Sequence, residues 1–502
     1  MSQDLLLLNQ RNLSSAPQQV SVPTYDRSAL STGIVHIGVG GFHRAHQAFY
    51  CHQLMSQSMA KDWAITGIGL LEYDRKIYEA LTSQDGLYTL TVQSPNGDAH
   101  TDVIGSIREM LFAIDTPELV LDRMSQASTK IISMTITEGG YNFNPNTGEF
   151  NFDNPSVVHD LAHPQAPQSI FGYITEALRR RRDSNAGPVT ILSCDNVQHN
   201  GDVTKMVITT FCQRQDPALC SWIDKNVSFP NSMVDRITPK TSSETISYIR
   251  EEFGIIDACP VNCEPFIQWI IEDNFISGRP PFEEVGVQFV DDVTPYEEMK
   301  LRLLNAGHSV VGITGAIHGY PTIYKCLEDE ILSSYLRRYL DVEATPALSP
   351  VDGINIEQYK DTLIERFANP NIKDSVSRIC SESSAKLPKF ILPTILKNLE
   401  SGGSIRLGTL IIATWCYYHD KGINQRGEAL EIIDALAGQL ARHAKKTSED
   451  PLAFLKQPEL FGELVDNERF TEVYRELIEK IYAEEDILEV MLDEMGVSDI
   501  SV

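Results

Sequence analysis

The stretch Gly33-Ile34-Val35-His36-Ile37-Gly38-Val39-Gly40-Gly41-Phe42-His43-Arg44 decides the fold. An apolar run from Ile34 to Ile37 ends on a glycine-rich turn, and a helical pattern carrying Ala45, Ala48, Phe49 and Leu54 follows at once. This is the strand–turn–helix context of a dinucleotide-binding unit. Gly38 permits the tight turn, Gly40 lets the backbone approach a pyrophosphate, and the free N–H groups of the next helix face the phosphates. The third position of the usual G-x-G-x-x-G is His43, whose ring needs room that a glycine does not. Taken alone, the turn fits a nucleotide site and an ordinary strand-to-helix connection equally well. Its candidate cofactor contacts are Ile37, Gly38, Val39, Gly40, Gly41, Phe42, His43 and Arg44. A second strand ends at Gly69, followed by Glu72 and Asp74, where a carboxylate can accept the ribose hydroxyls and repel a ribose phosphate. That favours NAD over NADP, although Arg75 and Lys76 follow directly.

Outward from this turn, β-branched runs alternate with helical patterns up to about residue 290, as a mainly parallel sheet covered by helices requires. Strands are predicted at Ile34 to Ile37, Ala64 to Gly69, Lys130 to Thr137 and Val189 to Cys194, with further strand-like segments at Phe266 to Ile271 and Val285 to Val290. Hairpins are predicted from Leu87 to Gln93, turning at Asn96-Gly97, and from Tyr141 to Asn144, turning at Asn146-Thr147-Gly148. From Tyr296 onward the periodicity is helical: Tyr296 to Thr314, Leu327 to Leu340, Ile356 to Phe367, Leu392 to Glu400, Ile405 to Tyr418, Gly427 to Ala441 and Phe470 to Met495. The expected fold class is α/β, a Rossmann-type domain over residues 1–294 with small antiparallel insertions, then an all-helical substrate-binding domain over 295–502.

The 502 residues suit two or three domains with sizeable cores. With 42 basic and 69 acidic residues, net charge −27, the chain lacks the basic footprint that nucleic acid or an anionic membrane surface demands. Nine cysteines without CxxC spacing fit free thiols in a reducing compartment. The near-apolar run Leu407 to Tyr418 is well short of the ~20 residues that cross a bilayer, and the N-terminus has no signal-peptide pattern. A cytoplasmic protein acting on a small molecule is expected, as a monomer or weak oligomer.

Three segments carry more polar chemistry than their surroundings explain. They are Ser193-Cys194-Asp195-Asn196 at a strand's carboxyl end, Phe229 to Pro239 containing Asp235, and Lys300-Leu-Arg-Leu-Leu-Asn305-Ala-Gly-His308. On a regular α-helix Lys300, Asn305 and His308 fall near 0°, 140° and 80°, so one ligand can meet all three. Hydride transfer from a secondary alcohol needs a base for the hydroxyl proton and donors for the developing alkoxide. Lys300 serves as base if burial lowers its pKa by about two or three units from ~10.4, a difference of about 3 to 4 kcal/mol between its protonation states. Asn196 and Asn305 can donate amide N–H groups without adding charge, and His308 can orient the substrate hydroxyl. A solvated helix stripe with Leu301, Leu303 and Leu304 as its core face is the bland alternative. Rival motifs fail on context. Tyr296-x-x-x-Lys300 mimics the short-chain dehydrogenase pair but lies far downstream of the glycine turn. His43-x-x-His46 and the scattered cysteines form no zinc set, and Ser309 sits within a helical run rather than on a nucleophile elbow.

Together, Gly38-Val-Gly-Gly-Phe-His-Arg-Ala-His46, Ser193-Cys-Asp-Asn196, Phe229-Pro-Asn-Ser-Met-Val-Asp-Arg-Ile-Thr-Pro239 and Lys300 to His308 resemble the polyol-specific long-chain dehydrogenases. The resemblance runs from about Gly33 to the late helices. It implies a metal-independent, NAD-dependent enzyme interconverting a polyol and its ketose, D-mannitol and D-fructose first, by hydride transfer at C2. It also implies Lys300 as catalytic base, Asn196 and Asn305 as oxyanion amides, His308 and Asp235 at the substrate, and Arg378 and Lys386 as polyol-contacting cations. Where several family members read Asn-Gly-Ser-His, this chain has Asn305-Ala306-Gly307-His308, which keeps arabinitol, sorbitol and the sugar acid fructuronate open as substrates. A non-catalytic NAD-binding sensor on the same fold is the alternative from another class.

Overall fold

The computed structural model describes residues 5–143, 148–484 and 486–496. The chain divides into two compact units at Thr294/Pro295. In the first unit six parallel strands form the central sheet: β1 (Thr32–Ile37), β2 (Ala64–Gly69), β3 (Ile107–Phe112), β4 (Ile131–Met134), β5 (Val189–Ser193) and β6 (Val227–Ser228). Their spatial order is β6-β5-β4-β1-β2-β3, the doubly wound dinucleotide-binding order with its switch point between β1 and β4. Parallel strands covered on both faces read as near-continuous apolar runs, and Ile34, Val35, Ile37, Ile65, Ile68, Ile131, Ile132 and Ile191 are all buried here. Val35 and Ile37 face one cluster with Phe171, Ile174 and Phe211. Ile34 faces the other with Ala45, Ala48 and Leu54 of the helices α1 (Gly41–Ala45) and α2 (Gln47–Ser56).

The predicted strands over residues 34–37, 64–69, 130–137 and 189–194 match β1, β2, β4 and β5, β4 being shorter than predicted. Not predicted were the sheet's two edges. β3 carries Arg108 and Glu109 amid its apolar residues, a pattern that suits an edge and blurs the strand signal, and β6 is only two residues long. The Asn96-Gly97 hairpin is present as Tyr88–Gln93 paired antiparallel with Ala99–Ile104. Of the second predicted hairpin, Asn144 to Thr147 lie outside the described residues, and a bridge pairs Phe143 with Phe150. A separate three-stranded sheet comprises β7 (Ser232–Asp235), β8 (Gln268–Glu272) and β9 (Gln288–Val290). β8 and β9 run parallel, and the predicted strand start near Val285 is instead a 3-10 turn, Phe282–Val285.

Among the described residues the second unit holds helices and two isolated bridges but no strand. Three of its helices recur below: α3 (Ala306–His318), α4 (Ile356–Phe367) and α5 (Arg406–Lys421). α5 is the central one, buried from Leu407 to Cys416 and packed on Glu468–Ala483 and α3. The predicted helix over 427–441 is mostly irregular, with helix only at Ala437–Ala444; its apolar Ile433 is exposed. The predicted final helix is two, Glu468–Ala483 and Ile487–Gly496. None of the described helices is long and apolar enough to cross a membrane.

The start of α5 is capped from a distance. Glu343, with no exposed surface, accepts hydrogen bonds from the N–H groups of Leu407 (2.7 Å) and Gly408 (2.8 Å) and from the Ser404 hydroxyl (2.8 Å). A carboxylate at a helix N-terminus satisfies otherwise orphaned donors and meets the favourable end of the helix dipole. Glu343→Ala leaves two buried N–H groups unpaired and should cost the protein about 2 to 3 kcal/mol in urea unfolding. A loss below about 0.5 kcal/mol would show that the cap contributes nothing.

Candidate active site

Gly38 closes β1 with φ +90°, and a Cβ there would lie 2.1 Å from the Thr135 carbonyl oxygen, so only glycine fits. Its N–H donates to the Ile68 carbonyl (3.0 Å), and its own carbonyl accepts from the Thr135 hydroxyl (2.6 Å). At Gly40 an added Cβ would meet nothing within 4 Å. A crowded turn beside an open glycine at the switch point is what a pyrophosphate needs in order to approach the backbone, so the residues present fit a dinucleotide.

His43 occupies the third motif position by stacking. Its ring lies on that of His36 in β1, centroids 3.4 Å apart and planes 14° apart. His36 is held by Ser133 Oγ (2.8 Å) and Thr135 Oγ1 (3.0 Å). A flat ring on a flat ring thus allows the close helix–strand approach that a glycine usually provides. Burial pushes the His36 pKa down to about 3 and that of His43 well below the ordinary range, His36 and Arg44 adding to the second effect. Arg44 points into the protein: its Nε donates to the Gly40 carbonyl (3.2 Å), and its guanidinium lies over the Tyr88 ring. α1 is only five residues long and ends at His46 (φ −121°, ψ −93°), where the predicted single helix breaks in two.

Beyond β2, the Asp74 carboxylate accepts the N–H groups of Leu70 and Leu71, both at 2.9 Å, and so shapes the loop. Glu72 is exposed and paired with Arg75 at 2.6 Å, and Arg75 also meets Asp115 at 3.1 Å. Arg75, beside this strand end, is therefore already matched by two carboxylates.

From the turn a chain of hydrogen bonds runs across the carboxyl ends of the sheet. Thr135 holds Gly38. The next two N–H groups, of Ile136 and Thr137, donate to Asp195 at 2.9 and 2.8 Å, and the Tyr141 hydroxyl donates to it at 2.8 Å. Burial outweighs these donors and raises the Asp195 pKa to about 6. Asn200 then ties the Asp195 carbonyl (3.1 Å) to that of Ser232 (2.8 Å), at the start of the strand that ends in Asp235. Asn196 is exposed at the end of this scaffold and Asp235 is buried. The scaffold residues Thr135, Tyr141 and Asn200 were not predicted; polar residues in three separate segments give no common spacing to detect.

In the second unit Lys300 is buried, 7% exposed, at the end of Thr294–Lys300, and Glu297 is buried beside it in sequence. Residues Leu301–Asn305 form a π turn, closed by the Ala306 N–H donating to the Leu301 carbonyl. This corrects the regular-helix geometry. At about 80° per residue through an i→i+5 turn, Asn305 falls near 50° and His308 near −10° from Lys300, so the three share a sector of roughly 60° rather than 140°. The His308 ring stacks on Phe367 at the end of α4, centroids 3.9 Å and planes 23° apart. Desolvation first, then Arg378, Arg366 and Lys386, hold its pKa well below the ordinary value, so it is neutral. Arg378 is paired through Nε with Asp374 at 2.7 Å, and Lys386 donates to the carbonyls of Ile379 (3.0 Å) and Arg378 (3.3 Å). Among the described residues no group of three His, Cys, Asp or Glu side chains could hold a metal ion.

Residues 32–284 match the family model described as the mannitol dehydrogenase Rossmann domain, and residues 292–482 match the mannitol dehydrogenase C-terminal domain. The chain belongs to the mannitol dehydrogenase family. Within that family, mannitol 2-dehydrogenase of Phaeosphaeria nodorum is 43% identical over 480 residues, covering 95% of this chain and 84% of that one. The Aspergillus fumigatus mannitol 2-dehydrogenase is 43% identical over 477 residues, covering 93% and 94%. Pseudomonas fluorescens mannitol 2-dehydrogenase, solved as a ternary complex with NAD and D-mannitol, superposes with a TM-score of 0.88 at 40% identity over 98% of this chain and 99% of that one. A substrate-free D-sorbitol dehydrogenase gives 0.88 at 37% identity, covering 96% and 99%.

The buried His36–His43 stack gives this mannitol dehydrogenase family member a pH signature. Both rings stay neutral when folded, whereas in the unfolded chain each binds a proton near pH 6.5. The unfolded state therefore gains protons as pH falls, and each ring lowers stability by about 1.4 kcal/mol per pH unit below ~6.5. Asp195, with its raised pKa, acts in the opposite direction between about pH 4 and 6. His36→Gln should flatten the dependence of the urea midpoint on pH by one ring's share between pH 6.5 and 5; parallel curves would refute the buried neutral ring.

Proposed function

We propose that the chain interconverts D-mannitol and D-fructose, with NAD as redox partner and without a catalytic metal. Membership of the mannitol dehydrogenase family supports the reaction class. The observation that carries the choice between polyol and sugar acid is the Arg378–Asp374 pair: the guanidinium is already balanced by a carboxylate on its Nε–Nη2 edge. Lys386 is likewise engaged with backbone carbonyls, and His308 is neutral. A sugar acid such as fructuronate needs an unmatched cation, whereas a polyol needs hydrogen-bond partners. Arabinitol and sorbitol fit the same chemistry and differ in length or stereochemistry.

NAD, along the Gly38–Gly40 turn, supplies the hydride acceptor for C2. Lys300, buried at the end of its helix, takes the C2 hydroxyl proton. The amides of Asn196 and Asn305 donate to the developing alkoxide, and neutral His308 orients the hydroxyl. Asp235, Arg378 and Lys386 bind the remaining hydroxyls. Glu72 and Asp74 beside an Arg75 already matched by two carboxylates favour NAD over its phosphorylated form. Nine free cysteines, eight of them buried, fit a reducing cytoplasm, with the protein acting as a monomer or weak oligomer.

Lys300→Ala should lower kcat by roughly 10²- to 10⁴-fold at neutral pH while NAD binding, followed by fluorescence titration, stays nearly intact. Wild-type turnover in that variant would remove Lys300 from the chemistry and reopen the non-catalytic sensor reading. An NADH assay over D-mannitol, D-sorbitol, D-arabinitol and D-mannonate should give the highest kcat/KM with D-mannitol. Turnover of the acid alone would reject the polyol assignment.

A further inference from the structure

We propose that Asp374 confines the substrate range to uncharged polyols by occupying the edge of Arg378 that a sugar acid would use. The proposal rests on the reading that Arg378 faces the polyol. Asp374 and Arg378 stand four residues apart, and both oxygens of the carboxylate are engaged, by Nε at 2.7 Å and by Nη2. Their burial is unequal: the Asp374 side chain is 6% exposed and that of Arg378 is 58% exposed. The carboxylate is thus the fixed partner and the guanidinium the one drawn to it. Asp374 is anchored on its other side by the Ile323 N–H, which donates to its carbonyl at 2.9 Å, and Ser375 caps the short helix Val376–Cys380 by accepting from the Arg378 N–H at 3.2 Å.

Two consequences follow for a ligand carrying a terminal carboxylate where a polyol has a hydroxymethyl group. The side-on Nε/Nη2 edge is closed to it while Asp374 stays in place, and at the end-on Nη1/Nη2 edge it meets a guanidinium whose charge a buried carboxylate already balances. A hydroxymethyl group meets neither obstacle, because it can accept from the remaining Nη1 edge. The chemistry is the same for both ligands: a secondary alcohol becomes a ketone, the hydride passes to NAD and the proton to Lys300. Only the recognition at the far end of the chain differs.

The test compares kcat/KM for D-mannonate and D-mannitol in wild type, Asp374→Asn and Asp374→Ser. Neutralising Asp374 should raise the ratio of acid to polyol by about tenfold or more, through a lower KM for the acid. Adding Arg378→Ala to Asp374→Asn should abolish that gain. An unchanged ratio in both folded single variants overturns the proposal, as does a gain that survives loss of Arg378. Arg378→Ala alone leaving the KM for D-mannitol unchanged would instead reject the underlying reading, so the two failures are distinguishable.

Discussion

A missing side chain at one residue governs the first unit. Gly38 sits at φ +90° with the Thr135 carbonyl where any Cβ would be, so β1 can turn only because that atom is absent. The same closeness lets Thr135 hold the Gly38 carbonyl, which sets the backbone from which Ile136 and Thr137 reach Asp195. Asp195 and Asn200 carry the constraint across to Ser232. Three strand ends and a separate sheet are therefore in register with a turn whose geometry one residue type allows. A bulkier residue at 38 would disturb far more than a phosphate contact.

Charge in the second unit is matched locally. Arg378 with Asp374, Lys386 with carbonyls, and Arg406 with Glu476 and Glu494 each neutralise a cation or meet its donors within a few ångströms. The net charge of −27 therefore coexists with a His308 that desolvation first, and then Arg378, Arg366 and Lys386, keep unprotonated. A neutral His308 can donate or accept toward a hydroxyl, and its ring plane is fixed by stacking on Phe367.

Legibility in the sequence followed how regular each element is. β1, β2 and β5 announce themselves because strands buried on both faces are runs of β-branched residues, and α4 and α5 because their apolar stripe persists for three turns or more. β6 is too short to carry a pattern, and β3 hides behind Arg108 and Glu109. The segment from 427 shows apolar spacing, yet its Ile433 is exposed, so periodicity there reports neither helix nor core. The glycine turn was legible because steric demands select one residue type. Thr135 and Asn200 were not, since many polar residues could serve and none is spaced from the turn by a helical or strand period.

The π turn at Leu301–Asn305 shows the same limit at the most consequential place. Hydrophobic positions on either side keep an ordinary helical rhythm, so nothing in the residue order reveals one wider turn. Its effect is nevertheless large, because slipping the phase by about one residue swings every later side chain by close to 100°. A wide turn forfeits regular i→i+4 bonding and persists only where packing holds it. Here Leu303 and Leu304 are buried within it, and Gly307, one turn on, lets Leu336 and Phe367 approach its Cα closely. The packing of those leucines and of Phe367 thus holds in place the phase that gathers Lys300, Asn305 and His308.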